Sequence, residues 1–136
     1  MELQQYPPSE TDGLFLHYET FVRDLAEVAA DWPTFEPEER SDHRVVFMEV
    51  WGKRRVLGQL YQTQKLTRSQ EAQLARLDYL LLEQSSLMER CFGFGLERLL
   101  TIFHWGSPLA QLAQPVRIET DTTSLNHLAQ ALAPAS

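Results

Sequence analysis

The sequence is poor in the features that mark secreted and membrane proteins. It has one cysteine, Cys91, which cannot form an internal disulfide and therefore suits a reducing compartment. No stretch approaches the ~20 consecutive apolar residues that cross a bilayer. Residues 1–8 lack the basic and apolar regions of a secretion signal. We therefore expect a cytoplasmic protein that does not bind a membrane.

Motifs for catalysis and ligand binding are also lacking. No histidine follows a glutamate at the Glu-x-x-His spacing of di-iron bundles, and Cys91 has only His104 near it in sequence as a second zinc ligand. Residues 93–95 begin like a dinucleotide-binding loop, but Arg98 stands where the third glycine belongs. We predict no catalytic residue, no metal site and no cofactor.

What the chain does have is the composition of an ordinary globular protein. Its 136 residues are 43% hydrophobic and 23% charged, with only six glycines. A chain of this size can bury a sizeable core. We predict one domain over residues 1–136.

Charge is distributed unevenly along the chain. Residues 1–42 carry 11 acidic and 2 basic side chains, whereas residues 43–76 carry 2 acidic and 7 basic ones. The net charge of −7 disfavours nucleic-acid binding, which depends on neutralising phosphates. The basic middle segment favours an acidic protein surface or peptide as partner.

Apolar residues recur at helical spacing over most of the sequence. From Leu14 the pattern predicts an amphipathic helix that ends before Pro33. Thr67 is a favourable N-cap for a second pattern, over residues 68–105. We predict this to be the longest helical segment, in which the glycines at positions 93 and 95 either kink the helix or let another helix approach closely.

Residues 44–62 are compatible with two structures. A helix could begin at Glu36-Pro37 and continue through this segment, although Gly52 and Gly58 each disfavour it by about 1 kcal/mol. Residues 44–51 are also rich in strand-forming side chains, so a hairpin is the alternative. We prefer the helix because its apolar residues fit a period of 3.6. They are Phe47, Val50, Trp51, Leu57 and Tyr61.

The resulting fold prediction is an all-α bundle of about four to five helices, with an α+β fold carrying a hairpin at residues 44–62 as the alternative. Residues 1–9 are predicted to be a loose lead-in, and residues 106–136 a linker plus a short C-terminal helix. That helix carries an apolar stripe, which we expect to dock on the main body because a helix this short is unstable alone. The stripe is Leu125, Leu128 and Leu132.

The candidate binding residues lie in the basic middle segment. Three of them, Arg54, Arg55 and Arg68, are predicted to contact carboxylates of a partner, since guanidinium groups bind them in bidentate fashion. A solvated face that pairs with the acidic first third of the chain is the alternative. The full predicted set is Lys53, Arg54, Arg55, Lys65, Arg68, Trp51 and Tyr61.

These features favour a non-enzymatic interaction protein, an adaptor, assembly chaperone or regulator that holds a partner segment in a helical groove. One alternative is a transcription-related regulator that contacts DNA or polymerase through residues 53–68, because residues 66–71 resemble the start of a helix in a helix-turn-helix. Another alternative is an enzyme whose site is assembled from residues distant in sequence.

Overall fold

The computed structural model describes residues 8–111, which contain six α-helices, one short 3-10 helix and no strand. This confirms the predicted all-α fold. Residues 44–62 lie within a single helix, so the hairpin alternative is not needed. The helices are α1 (Pro8–Asp31), α2 (Pro37–Gln62), α3 (Arg68–Glu83), α4 (Ser85–Phe92), α5 (Leu96–Leu99) and α6 (Thr101–Trp105).

Helices α1 and α2 form an antiparallel hairpin. A short 3-10 turn, Trp32–Thr34, follows α1 and contains Pro33, which cannot continue the helical hydrogen bonding. Pro37 occupies the first turn of α2, where its missing N–H is not needed. The Glu36 N–H donates to the Glu39 carboxylate at 2.8 Å, which fixes the start of α2.

The prediction that residues 68–105 form the longest helical segment is wrong. Within residues 8–111 the longest helix is α2, with 26 residues, and residues 68–105 are divided among α3, α4, α5 and α6. The Thr67 cap is present, since its hydroxyl accepts the Gln70 N–H at 3.1 Å. The divisions follow from local geometry. Gly93 adopts a left-handed conformation (φ 64°) that ends α4, and the Gln84 N–H bonds three residues back to Leu81, which tightens the end of α3.

The hydrophobic core lies where α1 packs against α2, α3 and α4, while α6 packs on α2. Each leucine fully buried there stabilises the fold by about 2 kcal/mol. A smaller cluster of Ala29, Trp32 and Cys91 closes the end of the hairpin. The most buried apolar side chains are Tyr18, Leu25, Leu57, Leu74, Leu77, Leu81, Leu82, Met88, Leu99 and Ile102.

The predicted terminal segments are only partly within the described residues. α1 begins at Pro8, so the lead-in predicted for residues 1–9 overlaps its first residues. The predicted C-terminal stripe of Leu125, Leu128 and Leu132 lies outside the described residues.

The two glycines inside α2 have different surroundings. A Cβ added at Gly58 would lie 2.9 Å from the backbone carbonyl carbon and oxygen of Trp105. Gly58 therefore allows α6 to approach α2 closely. A Cβ added at Gly52 would meet no atom within 4 Å, so the packing of this chain gives no reason for a glycine there.

This difference predicts opposite effects of the same substitution. Gly58→Ala should lower the free energy of unfolding, because Trp105 backbone must shift to remove the overlap. Gly52→Ala should raise it by up to about 1 kcal/mol through helix propensity. Denaturant unfolding of both variants in dilute solution measures this. Equal effects at the two positions would contradict the close approach of α6.

Candidate functional site

The centre of the molecule holds a buried ion pair between α2 and α3. Arg54 and Asp78 are both 0% exposed. The Arg54 Nε donates to Asp78 Oδ1 at 2.8 Å, and its Nη2 donates to Oδ2 at 2.7 Å. This bidentate geometry is the strongest arrangement of these two groups.

Two further segments donate to the same carboxylate. The Tyr18 hydroxyl on α1 donates to Asp78 Oδ1 at 2.6 Å, and the Ser107 hydroxyl donates to Oδ2. Arg54 Nη2 also donates to the carbonyl oxygen of Gly106 at 2.8 Å. All four acceptor positions of the carboxylate are thus filled. We call Tyr18, Arg54, Asp78 and Ser107 the buried polar network.

Burial and charge act together on the ionisable groups of this network. Burial, followed by the negative charge of Asp78, raises the pKa of the Tyr18 hydroxyl well above its ordinary value. The pKa of Arg54 is also raised, because the attraction of Asp78 outweighs the opposing effect of burial. Arg54 stays charged and Tyr18 stays neutral, as their hydrogen bonds require.

The structure corrects the predicted role of Arg54. A side chain with no exposed surface cannot contact a partner, so Arg54 is a structural residue. The reason is helix geometry. Consecutive residues on a helix point about 100° apart, so the run Lys53-Arg54-Arg55 cannot form one patch. Lys53 is partly buried, Arg54 faces the interior and Arg55 is exposed.

The other predicted binding residues are dispersed. Trp51 is partly buried among aromatic rings, and the centroid of its ring lies 4.7 Å from that of Trp105. The guanidinium carbon of Arg55 lies 5.9 Å from the centroid of the same Trp105 ring. Tyr61 is partly buried against the core. Lys65 and Arg68 are exposed in and after the connection between α2 and α3. Partner binding by the exposed residues Arg55, Lys65 and Arg68 stays a prediction.

A different feature is the candidate binding site. An open groove of about 490 Å³ lies between α1 and α2. Phe21 and Leu25 of α1, Val50 of α2 and Phe92 of α4 give it an apolar lining. Leu16 and Val46, which also line it, are 58% and 48% exposed. Exposed apolar side chains that continue a cavity lining are typical of binding surfaces.

Polar side chains frame this groove, which we call the α1–α2 groove. Asp24 of α1 and Glu49 of α2 line it from the two helices. At one end the Lys53 amine contacts His17 Nδ1 at 2.6 Å and joins the two helices. Towards the hairpin turn, His43 stacks on Phe35 with ring centroids 4.8 Å apart. Lys53 is therefore the one predicted binding residue among those that line the groove.

Sequence reasoning missed the buried polar network, although a signal was present. Asp78 stands among the inward-facing positions of α3, next to Leu77 and four residues after Leu74. A carboxylate on an apolar face needs a buried partner. The apolar and aromatic residues around Asp78 predict a buried helix, but they do not indicate which residue pairs with the carboxylate.

A metal-ligand cluster and a membrane-spanning helix are both absent from residues 8–111. No three side chains among His, Cys, Asp and Glu gather there as metal ligands, and no helix in that part has the length and apolar character needed to cross a membrane. Cys91 is buried, and burial raises the pKa of its thiol. Comparisons with protein-family models, curated proteins and solved structures give no match to this chain.

The buried polar network predicts a large effect of removing one charge. Asp78→Ala should lower the free energy of unfolding by about 3–5 kcal/mol, because it leaves Arg54 charged and unpaired in the interior. Asp24→Ala, which removes the exposed partner of Arg23, should cost less than about 1 kcal/mol. Denaturant unfolding compares the two. If Asp78→Ala does not fold, the quadruple variant Tyr18→Phe, Arg54→Met, Asp78→Leu, Ser107→Ala should fold, since it leaves neither a buried charge nor a buried hydroxyl without its acceptor. Failure of both would contradict this account of the pair.

Stability at alkaline pH should depend on Tyr18. Unfolded tyrosine loses its proton near pH 10, whereas folded Tyr18, with its raised pKa, keeps it. Above about pH 10 the unfolded state binds fewer protons, so the free energy of unfolding should fall as pH rises. Tyr18→Phe should flatten this decline. Tyr79 is the control, because its hydrogen bond to Glu83 also raises its pKa but it is only partly buried. Tyr79→Phe should change the fall of the free energy of unfolding with pH less than Tyr18→Phe does, as measured by denaturant unfolding between about pH 8 and about pH 11.

Proposed function

We propose that the protein is a non-enzymatic interaction protein, an adaptor, assembly chaperone or regulator, that holds an amphipathic helical segment of a partner in the α1–α2 groove. The observation that carries this is the groove itself, apolar in its lining and extended outwards by Leu16 and Val46. Helix-in-groove recognition uses such surfaces, with apolar anchors from successive turns of the bound helix.

The dimensions of the groove suit about three helical turns. Its α1 side runs from Leu16 to Val28, a span of about 18 Å at the helical rise of 1.5 Å per residue. A partner helix of similar length can place apolar residues at i, i+3, i+4 and i+7 along it.

The charges around the groove favour a basic partner segment. Asp24 and Glu49 line it from α1 and α2, and the amine of Lys53 is engaged by His17. The outer surface of α1 is also mainly acidic, with exposed carboxylates at Glu10, Asp12, Glu27 and Asp31. The burial of Arg54 removes one of the charges that favoured an acidic partner. Lysine or arginine beside the apolar anchors would complement this surface.

Two synthetic helical peptides test the proposal. Both carry the same leucine stripe over about four turns, and one has lysine and the other glutamate beside the stripe. We expect the lysine peptide to bind by fluorescence anisotropy and the glutamate peptide to bind at least about tenfold more weakly. Equal binding of the two peptides, or binding of neither, would contradict the proposed partner chemistry.

Substitutions at the rim locate the binding surface. The double change Leu16→Lys, Val46→Lys removes the exposed apolar rim and repels a basic helix, so affinity should fall about tenfold or more. Leu96→Lys on α5 is the matched control, because Leu96 is also an exposed leucine (39%) but does not line the groove. Both proteins should keep the helical circular dichroism of the wild type. Equal losses in the two variants would show that the groove is not the binding site.

A further inference from the structure

The outer face of α2 carries a second surface beside the groove, and Glu49 lies on the boundary between the two. Exposed residues recur along it at alternating spacings of three and four, the heptad spacing of helices that pair with other helices. We call these residues the outer stripe. They are Glu38, Ser41, Val45, Met48, Gly52 and Arg55.

The middle of the outer stripe is apolar and open to solvent. Val45 is 55% exposed and Met48 is 58% exposed, and both line a shallow depression on α2. Leaving two such side chains in water gives up the free energy that burying them would supply. The ends of the stripe carry opposite charges, acidic at Glu38 and basic at Arg55.

Gly52 adds an independent observation. In the middle of a helix it is less favourable than alanine by about 1 kcal/mol, and an added Cβ there would touch nothing in the structure. Gly58, by contrast, is required by the approach of Trp105. No contact within this chain requires a glycine at position 52. The close approach of a helix backbone from another molecule would require one.

We propose that the outer stripe binds a second copy of the same chain, with the two α2 helices antiparallel. In the register centred between Val45 and Met48, each Val45 faces the Met48 of the other copy. Each Ser41 then faces a Gly52, so small residues flank the apolar centre and let the helices approach closely. At both ends a Glu38 faces an Arg55.

The charges at the two ends of the outer stripe select the antiparallel orientation and favour a second copy of the same chain as the partner. A parallel pair would place Glu38 against Glu38 and Arg55 against Arg55, which is unfavourable at both ends. The antiparallel pair turns both contacts into ion pairs. A single stripe that complements itself when rotated by 180° is the property of a two-fold symmetric interface.

The interface leaves the α1–α2 groove accessible. Val46 of the groove and Met48 of the outer stripe lie about 160° apart around α2, with Glu49, which borders both surfaces, between them. The dimer does not depend on the proposed peptide binding. Met48→Glu should therefore abolish the dimer and leave binding of the lysine peptide unchanged, whereas Leu16→Lys, Val46→Lys should do the reverse.

A charge-reversal cycle tests the proposal in solution. Sedimentation equilibrium should show a dimer for the wild type, and Glu38→Arg or Arg55→Glu alone should raise its dissociation constant about tenfold or more, because each creates two like-charge contacts. The double variant should recover most of the affinity. Glu71→Arg is the control, because it also reverses a negative charge in the first turn of a helix, here α3, but lies outside the outer stripe. It should leave the dimer intact. A monomeric wild type, or a double variant as weak as the single ones, would overturn the proposal.

Disulfide trapping tests the register. Ser41→Cys and Gly52→Cys proteins, mixed and oxidised, should form a cross-link between unlike chains, while each alone should form little, since like positions lie about 16 Å apart along the helices. Cys91 is buried and should not interfere. Efficient cross-linking of either variant with itself would instead indicate a parallel or shifted pair and contradict the antiparallel register.

Discussion

The carboxylate of Asp78 is the constraint on which the arrangement of the helices depends. Its two oxygens accept hydrogen bonds from α1, from α2 and from the segment after α6, and it belongs to α3 itself. A charge taken out of water must be matched by donors in nearly fixed positions, which apolar contacts alone do not demand. Leucine side chains tolerate small shifts of one helix along another, whereas the fork of Arg54 does not. The buried polar network thereby selects one alignment among the packings that the apolar core would allow.

Helix α2 shows how this alignment produces surfaces. Three of its faces have separate roles: Arg54, Leu57 and Gly58 face the interior, Val46 and Val50 line the groove, and Val45 and Met48 face solvent. The groove exists because α1 and α2 are held together at one end by the buried polar network and the contact between His17 and Lys53. At the other end the short turn after α1 joins them, and Phe92 of α4 fills part of the space between them. A cavity of this kind results from two long helices that are fixed at both ends.

The sequence predicts the helices well and the site poorly, for physical reasons. Periodicity and capping are local, so the all-α class, the start of α2 at Pro37 and the Thr67 cap could all be derived. The end of α4 depends on Gly93 adopting a left-handed conformation, which a glycine permits but does not require. The position of Arg54 depends on Asp78, 24 residues away, and the three consecutive basic residues differ only in the direction each faces. Groove residues such as Leu25 and Phe92 look like core positions, because the same apolar pattern serves packing and binding.

The filled carboxylate also limits how this chain can change over generations. Replacing any one member of the network leaves a buried donor, acceptor or charge without its counterpart, so single steps away from it lose stability. Asp78 accepts hydrogen bonds from Tyr18 and Ser107 as well as from Arg54, so its replacement is tolerated only where all four positions change together. The positions of Tyr18, Arg54, Asp78 and Ser107 should therefore covary across related sequences, while exposed basic residues such as Arg55 and Arg68 vary independently of them.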